Sequence, residues 1–200
     1  MKPYSQACVN NREPILSVIA RLFSNHKNIL EIGSGTGQHA VYFARQMPHL
    51  IWQSSDRADN HPGIQLWLQD ADLNNTPPPL ELDVMQNPWP QITADAVFSA
   101  NTAHIMSWAS VERMLTMIAT CLPNNRLFVL YGPFNYEGHY TSDSNARFDQ
   151  WLRQRDPLSG IRDFEVINNL ATRLGLILKE DIEMPANNRI LVWHTSNRHS

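Results

Sequence analysis

ILEIGSGTGQHAVYFA, residues 29–44, joins a run of branched apolar residues to an amphipathic segment through glycines on alternate positions, Gly33, Gly35 and Gly37. The branched run bounded by turn residues predicts a strand, and Ala40, Val41, Phe43 and Ala44 predict the apolar face of a helix. Glycine adopts backbone angles that a Cβ forbids, and its missing side chain lets a ligand approach the main chain. Strand, bare turn and helix in that order mark the first crossover of an open parallel sheet. Such sheets bind ligands beyond the carboxyl ends of their strands, where the strand order reverses.

The flanks repeat the pattern. Upstream, Ile15, Val18, Ile19, Leu22 and Phe23 recur at helical spacing. Downstream, LIWQSS (50–55) reads as a second strand, a polar helix follows over 64–73, and the breaker TPPP (76–79) precedes a short strand at 80–82. ADAVFSA (94–100), a helix over 111–122 and RLFVLYG (126–132) continue the alternation. Parallel neighbours need long right-handed crossovers, so the order βα repeated predicts an α/β fold with a doubly wound, mostly parallel sheet. The last quarter differs: after a helix over 164–174, LILKEDIEM (176–184) and RILVWHT (189–195) flank a short turn, which predicts an antiparallel C-terminal hairpin at one sheet edge. Residues 133–145, PFNYEGHYTSDSN, have the length and polarity of a lid or substrate loop. A single domain over residues 1–200 is the expectation.

Composition narrows the function. With 16 Lys and Arg, 19 Asp and Glu and a net charge of −3, the chain has no bulk attraction for nucleic acid. Neither a secretory h-region nor a bilayer-length apolar run is visible, so a cytoplasmic protein without membrane contact is expected. Cys8 and Cys121 read as packing residues in a reducing compartment. The eight histidines fall outside any H-E-x-x-H or Cys/His cluster, so no metal is expected. G-x-S-x-G and G-x-x-x-x-G-K-[ST] are missing, which disfavours a serine hydrolase and a P-loop nucleotidase. A dinucleotide fingerprint needs glycine at 38, where the chain has Gln38.

An acid before G-x-G-x-G is a different pattern. Glu31-Ile32-Gly33-Ser34-Gly35-Thr36-Gly37 resembles the first motif of the class I S-adenosylmethionine-dependent methyltransferases. Asp56, at the end of the second strand, matches that family's ribose-binding acid, and Leu82-Asp83-Val84 matches its adenine-contacting segment. A closer resemblance is to the DUF938 family, which includes methyltransferase-like protein 26. It rests on Asn11-Arg12-Glu13-Pro14-Ile15-Leu16, Asn101-Thr102-Ala103-His104-Ile105, Tyr131-Gly132-Pro133-Phe134, Arg155-Asp156-Pro157 and Gly160-Ile161-Arg162-Asp163. The resemblance implies a Rossmann-like fold and S-adenosylmethionine as cofactor. It places cofactor contacts at Glu31, Gly33, Ser34, Gly35, Gly37, Asp56, Asp83 and Val84. Asn101, near the end of the fourth strand, could contact cofactor or substrate through its amide, and methyl transfer to a small molecule is the expected activity.

Each residue also has a plainer reading. Asp56 could grip both ribose hydroxyls or be a solvated turn residue; Glu31 could meet the ligand's amino group or orient the turn. Asp83 suits an adenine amine or a turn carboxylate before Pro88. His104, after the fourth strand, is the candidate catalytic base or else a structural hydrogen-bonded ring. Arg12 could fold over the ligand or pair with Glu13. Arg147, Arg153, Arg155 and Arg162 suit an acidic substrate or, with Asp149, Asp156 and Asp163, a paired solvated face. Tyr131, Phe134, Tyr136 and Tyr140 could wall a substrate pocket. A catalytically silent S-adenosylmethionine-binding or adaptor protein is the alternative to an enzyme, and the oligomeric state is left open.

Overall fold

The structure is a computed structural model that describes residues 2–91 and 93–196. The backbone divides into two compact units after Ser99. The first begins with helix α1 (Gln6–Leu22), strand β1 (Asn28–Ile32), helix α2 (Gln38–Gln46) and strand β2 (Ile51–Asp56). Helix α3 (His61–Ala71), strand β3 (Leu80–Glu81) and most of strand β4 (Ala96–Ala100) complete it. β1 lies parallel to β2, from Asn28 opposite Ile51 to Ile32 opposite Ser55, and parallel to β4, from Ile29 opposite Ala96 to Glu31 opposite Phe98. The chain therefore moves outward from β1 through β2 to β3 and returns to β1's other side, and the reversal falls where β1 runs into the glycines. Four of the five β1 residues are buried, as a strand covered on both faces requires. Phe43, Trp52, Phe98 and Phe23 pack at ring-centroid distances of 5.3–6.2 Å in its core.

The second unit holds helix α4 (Trp108–Cys121), strands β5 (Leu127–Gly132) and β6 (Phe134–Asn135), and helix α5 (Asp143–Arg155). Strand β7 (Arg162–Asp163), helix α6 (Phe164–Arg173) and strands β8 (Leu176–Met184) and β9 (Asn188–Thr195) follow. β9 runs antiparallel to both β5 and β8, with Phe128 opposite Trp193 and their rings stacked at 5.5 Å. Hydrogen bonding joins seven strands in the order β3-β2-β1-β4-β5-β9-β8, the mixed sheet with an antiparallel C-terminal edge that the pattern predicts. Among the described residues no helix is long and apolar enough to cross a membrane.

The structure departs from the sequence reading at three places. α1 starts at Gln6 rather than near Ile15, because Ser5 Oγ caps it by accepting from the Cys8 N–H. Its apolar stripe of Ile15, Ile19 and Leu22 covers only the half after Pro14, so the polar half is invisible to periodicity. α4 starts at Trp108, where Ser107 Oγ accepts from the Ser110 N–H at 3.1 Å. Residues 133–145 are not one irregular loop. β6 pairs in parallel with β7, Tyr136 and His139 close a tight turn, and Ser142 caps α5 through the Asn145 N–H at 3.1 Å.

Candidate functional site

In the first unit the ends of β1, β2 and β3 are tied together by the glycine turn. The N–H groups of Gly33 and Ser34 both donate to the Ser55 carbonyl at 3.0 Å, and the Leu82 N–H donates to the Asp56 carbonyl at 2.9 Å. Gly33, Gly35 and Gly37 have φ of +74°, +57° and +87°, angles that side chains rarely adopt. Their surroundings separate them. A Cβ built on Gly35 meets no heavy atom within 4 Å, so the space above it is open. A Cβ on Gly37 would lie 3.1 Å from the Ile64 Cα, so this glycine lets α3 close against the turn.

Two acids support the turn, and Asp56 borders the open space. Asp56, 9% exposed, accepts from the Gly35 N–H at 2.8 Å through Oδ2, and through Oδ1 from the Arg57 N–H and the Asn60 amide, each at 2.8 Å. A carboxylate offers about four lone-pair sites, so acceptor capacity remains beyond these three donors. Glu31 is buried at the end of β1, and its Oε2 accepts from Ser34 Oγ at 2.9 Å and Trp52 Nε1 at 3.1 Å. Burial pushes its carboxyl up to about 7; the Trp52 and Ser34 bonds oppose the rise and the Asp56 charge adds to it. Asp83 Oδ1 closes a turn by accepting from the Met85 N–H at 2.9 Å, and Val84 beside it is buried. Trp52 and Ser55 escape sequence reasoning because their contacts with Glu31 form only when β1 and β2 lie side by side, whereas Asn60 reaches Asp56 through the turn that follows β2. A groove of about 340 Å³ lies at the far end of α3, around Leu68, Asp72 and Pro78, and belongs to none of this.

The second unit carries the remaining candidates. Asn101 stands just past β4 at φ +59°, its N–H donating to the Tyr131 carbonyl at 2.9 Å. His104 is 5% exposed, with its ring edge-on to Phe148 and its Nδ1 3.5 Å from where a Cβ on Gly132 would stand. Burial, helped by the Arg162 charge, lowers its pKa to about 4, so the imidazole is neutral at physiological pH. Arg162 donates through Nε to the Ala103 carbonyl and through a terminal nitrogen to the Met106 and Leu158 carbonyls. Asp149, 1% exposed, accepts from Arg153 Nε, the Tyr140 hydroxyl and the Ile161 N–H. Arg155 lies over the Trp151 ring at 4.6 Å, and Tyr136 donates to Asp181. Most of the arginine and tyrosine cluster is thus engaged by the unit's own groups.

A seven-stranded sheet of this order, with an acid-led glycine turn at its reversal point and a second acid ending the neighbouring strand, defines the class I methyltransferase fold. The likeness extends to solved structures. An O-methyltransferase family protein from Burkholderia thailandensis matches with a TM-score of 0.83 at 14% identity, over 96% of this chain and 58% of that one. Mitomycin 7-O-methyltransferase matches at 0.83 and 16%, over 95% and 54%. Human N-acetylserotonin methyltransferase, solved in complex with S-adenosylmethionine, matches at 0.79 and 14%, over 96% and 53%. This chain spans a little over half the length of each, and at such identities the likeness is one of fold. By sequence, the chain belongs to the DUF938 family, described as a protein of unknown function, whose model matches residues 2–195.

Proposed function

We propose that this chain binds S-adenosylmethionine at the glycine turn of its first unit and transfers the methyl group to a small molecule. The observation that carries this reading is the open space above Gly35, bordered by the Asp56 carboxylate that its own N–H holds in place. A bare main chain and a fixed, incompletely used acid suit an adenosyl ligand whose ribose presents two hydroxyls. When bound, that cofactor supplies a methyl group made electrophilic by its sulfonium.

The chain's own groups then bind and orient. Asp56 holds the ribose from the end of β2, Glu31 offers a carboxylate for the ligand's amino group, and Asp83 and Val84 complete the cofactor contacts within the first unit. Holding two reactants in line can supply roughly 7–11 kcal/mol of a barrier without any base. His104 is the proposed proton acceptor where the nucleophile is protic. Its low pKa keeps it in the free-base form, ready to accept but weakly basic.

A second reading, a silent cofactor-binding protein, draws on the burial of His104 and the internal pairing of Arg153 and Arg162. Incubation with methyl-labelled S-adenosylmethionine and a fractionated small-molecule extract separates the two. Label appearing in an extract component, with stoichiometric S-adenosylhomocysteine, is the expected result. Cofactor binding without labelled product in any fraction sinks the enzyme reading and leaves the silent one.

A further inference from the structure

The polar half of α1 docks on the glycine turn and the start of α2, and one buried donor in that contact has no hydrogen-bond acceptor. The Ser5 N–H donates to Gln38 Oε1 at 2.5 Å, and His39 Nε2 lies 2.7 Å from Asn11 Oδ1. The Tyr42 hydroxyl donates to Glu13 at 2.5 Å, and the Cys8 side chain lies within hydrogen-bond reach of Thr36 and in the field of Glu31. Arg12 is the exception. Its Nε is buried with no hydrogen-bond acceptor, and no ion pair joins it to Glu13 among the described residues. Its guanidinium lies over the Tyr42 ring at 4.7 Å, close enough to His39 to be felt there. A buried donor left unsatisfied costs roughly 1–3 kcal/mol, more when charged. An anion at this place would remove that cost.

The helix says which way the group reaches. Arg12 follows Cys8 by four residues, so the two project from the same side of α1, one turn apart. Cys8 is the residue that touches Thr36 of the glycine turn and lies near Glu31. Beside the turn, then, stands the buried Glu31 carboxyl, and one helical turn along α1, against His39 and Tyr42, stands a guanidinium whose Nε lacks an acceptor. The two groups match the two ends of an α-amino acid zwitterion, its ammonium toward Glu31 and its carboxylate toward Arg12. Guanidinium forks suit carboxylates bidentately, and the Tyr42 ring lies against this one.

We propose that Arg12 binds the carboxylate of the cofactor's amino-acid moiety, which makes α1 a wall of the cofactor site. The inference rests on the S-adenosylmethionine reading above and adds the residue that recognises the end of the molecule farthest from the adenine. The Arg12–Tyr42–Glu13 chain positions the fork, and the cofactor's carboxylate supplies the acceptor that Nε lacks.

Two ligands separate this from a general effect on the turn. S-adenosylhomocysteine carries the amino acid, and 5′-methylthioadenosine lacks it while keeping adenosine and sulfur. In titration calorimetry, Arg12→Met is expected to weaken S-adenosylhomocysteine at least tenfold and to leave 5′-methylthioadenosine within twofold. Arg12→Lys, which keeps the charge and the stem, is expected to lose several-fold for the first ligand only, and it serves if the methionine variant does not fold. Unchanged S-adenosylhomocysteine affinity in a folded variant, or equal loss for both ligands, overturns the proposal. Wild-type protein that binds neither ligand overturns the cofactor reading, and this inference with it.

Discussion

Inside the first unit, Glu31 titrates near 7 instead of near 4.5, so its folded state holds a proton more tightly than its unfolded state does. A pKa raised on folding makes its contribution most favourable below the unfolded value, and that advantage is lost as pH rises through the folded one. Glu31→Gln keeps an oxygen for Ser34 and Trp52 and removes the charge. It is expected to be more stable than wild type at about pH 8, by on the order of 3 kcal/mol, with the difference fading toward pH 4.5. Urea melts at several pH values check this, and a pH-independent difference would contradict it. The glycines give a second contrast. Gly37→Ala brings a Cβ to 3.1 Å from the Ile64 backbone and should cost more than about 2 kcal/mol of stability, whereas Gly35→Ala meets only open space and should cost about 1 kcal/mol. Calorimetry should show Gly35→Ala losing S-adenosylmethionine affinity. Asp56→Ala should weaken that affinity at least tenfold, about 1.4 kcal/mol.

At the level of elements, α5 shows what a sequence hides. Of its large apolar residues Leu152 is buried, Phe148 half-buried and Trp151 exposed, too few on the packed face for periodicity to stand out in a polar segment. It is held instead by Asp149, which burial alone would raise but whose bonds from Arg153, Tyr140 and the Ile161 N–H bring its carboxyl below the usual range. A lowered pKa contributes stability above the unfolded value that disappears as pH falls through the folded one. Asp149→Ala strands the buried Ile161 N–H and frees the exposed Arg153 and Tyr140 to solvent, and should cost roughly 1–3 kcal/mol, read by denaturant melts at pH 7. A loss below about 1 kcal/mol would mean that α5 is anchored elsewhere. Strands fared better: β1 runs over Asn28–Ile32, the residues its branched composition marks, since a strand buried on both faces is nearly all apolar.

For the whole molecule, ligand choice is the test. A ligand that binds only the folded chain adds about 2.7 kcal/mol at 100 times its dissociation constant, so S-adenosylmethionine should raise the melting temperature while NAD and NADP leave it unchanged. A shift with a dinucleotide alone would move the glycine turn to another chemistry. The chain order of the main sheet's seven strands, the antiparallel C-terminal edge and the acid-led glycine turn were all legible in the chain. Each is written in neighbouring residues, through hydrophobic period, chain breakers and the φ angles that glycine permits. Tertiary structure alone decided which glycine faces open space, which acid is driven toward neutrality and which arginine lacks an acceptor. Those properties belong to contacts such as Asp56 with Gly35, 21 positions apart, and a side chain's electrostatic state is set by the neighbours that folding brings to it.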